Sequence, residues 1–106
     1  MLKIAVIGGR ETVMGFKALG LETRPAANAD EARRILHTLA RSEEDYAIIY
    51  VEETFAADGD MAREIARYKD LPKPAVILIP GREGPLGLGQ QALQEAVERA
   101  VGSDIL

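Results

Sequence analysis

Pro74-Ala75-Val76-Ile77-Leu78-Ile79-Pro80 is a run of five apolar residues, three of them Val or Ile, fenced by prolines. Such a run reads as a strand buried on both faces, as in a parallel sheet, and it therefore calls for neighbouring strands. A glycine-rich bend follows, with Gly81, Gly84, Gly87 and Gly89, and then a helical pattern that continues toward Leu106. On that helix Ala92, Leu93, Ala96, Val97, Ala100 and Val101 share one narrow stripe, while Gln91, Gln94, Glu95, Glu98 and Arg99 face elsewhere. Three of the six stripe residues are alanine, so a partner could approach closely.

Upstream, strand and helix patterns alternate. Lys3 to Ile7 reads as a first strand closed by Gly8 and Gly9, with Thr12 placed to cap a helix carrying Val13, Phe16 and Leu19 inward. Gly20 reads as the C-cap of that helix, with Leu21 making the apolar contact that accompanies such a cap. Leu21 to Pro25 is short and polar, which suits an edge strand, where proline's missing N–H costs no ladder bond. Asn28 and Glu31 form a variant capping box, and Ala32, Ile35, Leu36, Leu39 and Ala40 then mark one buried helical face. Tyr46 to Val51 reads as a central strand ending at Glu52 and Glu53, and a third helix starting near Asp58 or Asp60 turns Met61, Ile65 and Tyr68 inward.

This alternation predicts an α/β fold with a small open four-stranded parallel sheet in the order 2-1-3-4, flanked by helices in a Rossmann-like or receiver-like manner. The expected organisation is an α/β body over residues 1–80, then a Gly-rich hinge and C-terminal helix over residues 81–106.

Composition narrows the function. With 106 residues, 47% of them hydrophobic and 28% charged, the chain has the profile of one globular domain. The absence of cysteine excludes disulfides, thiolate metal sites and cysteine nucleophiles. Acidic residues outnumber basic ones by 17 to 13, for a net charge of -4, and the basic residues are scattered, so a nucleic-acid partner is not expected. No apolar run reaches the roughly 20 residues of a membrane span, and the first residues lack a signal-peptide pattern, so direct membrane insertion is not expected either.

The chemical motifs are incomplete. Gly8-Gly9 follows a strand, but no G-x-G-x-x-G is present, and the 81–89 glycine run lacks the Gly-Lys-Ser/Thr ending of a phosphate loop. Both segments therefore read as turns, and no cofactor, catalytic residue or metal ligand is assigned. Glu52 and Glu53 lie where open α/β sheets bind ligands, yet a receiver domain would need an acidic pair after the first strand, where Gly8, Gly9 and Arg10 stand. They are expected to be solvated carboxylates, and His37, among arginines, an exposed side chain without a partner to tune it.

Three segments carry a family resemblance: Pro74-Ala-Val-Ile-Leu-Ile-Pro80, Gly84-Pro-Leu-Gly-Leu-Gly89 and Ala96-Val-Glu-Arg-Ala-Val-Gly-Ser-Asp-Ile-Leu106. Together with Ile4-Ala-Val-Ile-Gly8, Gly15-Phe-Lys-Ala-Leu-Gly20 and Tyr46-Ala-Ile-Ile-Tyr-Val-Glu-Glu53, in that order and spacing, the chain resembles the F subunits of V-type (A/V-type) rotary ATPases. The resemblance implies a non-catalytic central-stalk rotor subunit, cytoplasmic and peripheral on the membrane as part of the complex. Its implied partners are the D subunit, a coiled-coil shaft, and the C subunit (also called d) of the membrane rotor, with the catalytic head subunits as a further candidate. The expected partner interface is Leu86, Leu88, Leu93, Ala96, Val97, Ala100, Val101, Ile105 and Leu106, reached through a hinge at Gly81, Gly84, Gly87 and Gly89. The competing expectation is a stand-alone receiver-like or nucleotide-binding signalling domain.

Overall fold

The computed structural model describes residues 2–81. Four strands, β1 (Lys3–Gly8), β2 (Glu22–Pro25), β3 (Tyr46–Glu52) and β4 (Ala75–Ile79), alternate with helices α1 (Arg10–Lys17), α2 (Ala29–Arg41) and α3 (Gly59–Ala66). A single 3-10 turn, Phe55–Ala57, precedes α3. Among the described residues the four strands pair in parallel in the order β2-β1-β3-β4, as the alternation predicted.

The register sorts the side chains onto two faces. Ala5 pairs with Ile49 and Ile7 with Val51, and these pair in turn with Val76 and Leu78. These six residues belong to one core cluster with Ala32, Leu36 and Leu39 of α2 and Met61 and Ile65 of α3, so α2 and α3 cover that face. The intervening residues Val6, Tyr50 and Ile77 form a row on the opposite face, where Phe16 of α1 stacks on Tyr50 with ring centroids 6.3 Å apart. Val6 beneath α1 is wholly buried, whereas Ile77 at the other end of the row is 42% exposed. Among the described residues β4 is the outermost strand and α1 lies over β1 and β2; the C-terminal helix pattern that could complete the expected cover of β4 lies outside them.

Local chemistry explains the element ends. Asn28 accepts the Glu31 N–H at 2.9 Å and so caps α2, and Asp58 does the same for α3 through the Met61 N–H at 3.1 Å. At the end of α1 the Leu21 N–H donates to the Phe16 carbonyl and the Gly20 N–H to the Lys17 carbonyl, with Gly20 at φ +82°. This paired arrangement satisfies two orphan carbonyls and requires the left-handed backbone that glycine supplies. Two expectations for α1 fail. The helix begins at Arg10 with Gly9 as its N-cap, which puts Thr12 inside the first turn, and it ends before Leu19, which is left 74% exposed.

Two substitutions test this account by urea unfolding. Gly20→Ala is expected to cost about 1–2 kcal/mol, because a Cβ is strained at that φ. Leu36→Ala, in the fully buried centre of α2, is expected to cost about 3 kcal/mol through the lost contacts and the cavity left behind.

Candidate functional site

The carboxyl ends of β1 and β3, where open α/β sheets bind ligands, meet at Glu52. Glu52 is the last residue of β3 and only 8% exposed, and Glu53 beside it is 3% exposed, so the two are not the solvated carboxylates expected. Burying a carboxylate is costly unless donors surround it, and here they do. One oxygen of Glu52 accepts the Gly9 N–H at 3.1 Å, and the other accepts the Thr54 hydroxyl. Burial alone would raise the Glu52 pKa, but hydrogen bonds from Thr12, Thr54 and the Gly9 N–H outweigh it and hold the carboxyl below the ordinary 4.5. Thr12, inside the first turn of α1, serves this carboxylate rather than the helix end.

A second buried carboxylate joins the helices. Glu64 of α3, with its side chain 4% exposed, accepts from the Tyr68 hydroxyl and lies 3.3 Å from His37 Nδ1 on α2. His37 therefore has a partner, contrary to the expectation from its arginine neighbours. Desolvation opposes ionisation of Glu64, but bonds from Tyr68 and His37 prevail and keep its pKa below 4.5. Burial, with the bond to Glu64, pushes Tyr68 up to about 12. Neither carboxylate is poised as an acid or base near neutral pH, since both are held ionised by bonds within the fold.

Elsewhere, an open groove of about 380 Å³ is lined by Arg24, Arg34, Ile35, Thr38 and Leu39. Its two arginines are already paired, Arg24 with Glu22 and Arg34 with Asp30. Among the described residues no group of three or more Asp, Glu or His could hold a metal ion.

Of the residues expected to form the interface and hinge, Gly81 alone is described, and it sits against Glu52. Leu86, Leu88, Leu93, Ala96, Val97, Ala100, Val101, Ile105 and Leu106, together with Gly84, Gly87 and Gly89, lie outside the described residues.

A family model described as ATP synthase (F/14-kDa) subunit matches residues 4–97. The chain belongs to this family. It is 41% identical over 104 residues to the F subunit of the V-type ATP synthase of Clostridium botulinum (strain Eklund 17B / Type B), covering 98% of this chain and 97% of that protein. The F subunit of the V-type ATP synthase of Fusobacterium nucleatum is 42% identical over 106 residues, covering 100% of this chain and 97% of the relative. The crystal structure of the corresponding V-type F subunit from Archaeoglobus fulgidus superposes with a TM-score of 0.58 over 73% of this chain and 95% of that one. At 15% identity this last likeness is one of fold.

As a member of the F-subunit family, the chain is part of a V-type ATP synthase, a rotary complex of ATP synthesis and ion transport. That membership displaces the stand-alone signalling reading. No helix among the described residues is long and apolar enough to cross a membrane.

The two buried carboxylates give the protein a defined acid response. Their folded pKa values lie below the ordinary 4.5, so the stability they confer is present above that pH and is lost as pH falls through the folded values. The urea midpoint should drop as pH falls below the ordinary carboxyl value of 4.5. In Glu52→Gln/Glu64→Gln the drop should be shallower, and an unaltered slope would show that these groups are not responsible.

Proposed function

We propose that the chain is a non-catalytic central-stalk rotor subunit that grips the coiled-coil shaft, the D subunit, and joins it to the C (or d) subunit of the membrane rotor. In that position it couples ATP hydrolysis or synthesis in the head to ion translocation in the membrane. Family membership over nearly the whole length carries the reading. The state of the sheet's ligand end supports it, because Glu52 fills the meeting point of β1 and β3 and is saturated by the chain's own donors. A body so closed suits a mount for neighbouring subunits better than a reaction vessel.

The gripping surface is assigned to the C-terminal stripe of Leu93, Ala96, Val97, Ala100 and Val101, extended by Leu86, Leu88, Ile105 and Leu106. Small residues along such a stripe let two backbones come close, and close apolar contact resists slip under load. The glycines at 84, 87 and 89 give the stripe freedom to meet the shaft at the angle the complex imposes. The protein is cytoplasmic and peripheral, held at the membrane through its partners.

Capture on the immobilised shaft protein tests this directly. The parent chain should be retained, and Val97→Asp should weaken retention at least tenfold while far-UV circular dichroism remains unchanged, since a buried unpaired carboxylate costs more than one such factor. Equal retention of the two chains would remove Val97 from the contact, and no retention of the parent would remove the shaft as the partner.

A further inference from the structure

Three backbone positions face the Glu52 side chain and all three are glycine, with Gly8 and Gly81 the close ones. A Cβ on Gly8 would stand 3.3 Å from Oε1 of Glu52, and one on Gly9 would stand 3.5 Å from the same oxygen. A Cβ on Gly81 would lie 2.8 Å from Oε2 and 2.9 Å from Cδ, closer than non-bonded atoms tolerate. Leaving aside its two chain neighbours, the three nearest atoms all belong to Glu52. The nearest obstacle is therefore one side chain.

That side chain is poorly free to step aside. The Gly9 N–H holds one carboxylate oxygen at 3.1 Å and the Thr54 hydroxyl holds the other. Rotating Glu52 away from position 81 would break these bonds while leaving the carboxylate buried. The backbone before Gly81 is also pinned to the sheet, because the Glu53 N–H donates to the Ile79 carbonyl at 2.8 Å. The chain thus passes from a fixed point at Ile79 onto a seat made by Glu52.

We propose that Glu52 is a latch on the exit of the C-terminal segment: its carboxylate, held by the first turn of α1 and by Thr54, sets the path that the backbone takes at Gly81. Position 81 requires glycine because of the Glu52 atoms that a Cβ would strike. A displacement at the start of α1 is passed through this one side chain to the root of residues 82–106. The latch belongs to the isolated chain and does not depend on which subunit the C-terminal stripe grips.

The chain has no cysteine, so Met14→Cys on the exposed side of α1 and Arg82→Cys just past the latch accept a unique pair of nitroxide labels. Distance distributions from pulsed dipolar spectroscopy are then compared across a double-mutant cycle of Gly81→Ala and Glu52→Ala, with circular dichroism as the check on folding. Gly81→Ala alone should displace the distribution by more than its own width of error. In the Glu52→Ala background the same substitution should displace it no further, because the atoms it would strike are gone. In a Glu52→Gln background, which keeps the bulk, the displacement should return. No displacement by Gly81→Ala in the parent, or an equal displacement in the parent and Glu52→Ala backgrounds, overturns the latch. Should Glu52→Ala not fold, Glu52→Ser provides the small side chain for the same comparison.

Discussion

A carboxylate withdrawn from water has to be met by donors, and that requirement organises the upper end of this domain. Glu52 obtains them from a glycine N–H at the start of α1, from Thr12 and from Thr54, so β1, α1, β3 and the turn after β3 converge on a single side chain. In other open α/β sheets the same place, between two central strands and below a helix N-terminus, receives an anion from outside. Here the chain provides its own. The incomplete glycine motif after β1 and the lack of a phosphate-loop ending are then parts of one arrangement, in which the turn fits a carboxylate delivered from the neighbouring strand.

The rest of the body divides into two unequal layers. On one face α2 and α3 pack against each other and against Ala5, Ile7, Ile49 and Val51, and they are linked by Glu64 between His37 and Tyr68. On the other face α1 lies over β1 and β2, with Phe16 against Tyr50, and beyond it Ile77 is open. The buried Glu64 costs less than its burial alone would suggest, because its bonds are charge-assisted and hold two helices in one register.

The fold was legible in the sequence because each element carries a local signal that agrees with its neighbours. Asn28, Asp58 and Gly20 end their helices as their chemistry requires, and the polar Glu22–Pro25 strand lies at the edge where its composition places it. The misreadings of charged residues share one cause. Glu52 and Glu53 looked solvated, and His37 looked unpartnered, because pattern reading treats a charged residue as a surface residue. For Glu52 and His37 a deciding partner lies far off in the chain, 43 residues away for Gly9 and Glu52, and 27 for His37 and Glu64. One clue was present: a threonine in the first turn after paired glycines, with a glutamate closing the strand that packs alongside. Only the β1–β3 register brings those three together.

The two borders of the sheet are finished differently. β2 is narrow, charged and closed by Pro25, features that discourage a stranger from adding on. β4 consists of Ala75, Val76, Ile77, Leu78 and Ile79 without a charge among them, and it is the outermost strand described. Within its five residues β4 carries none of the devices by which β2 discourages an added strand, so of the two borders it is the one that could accept a further strand edge to edge.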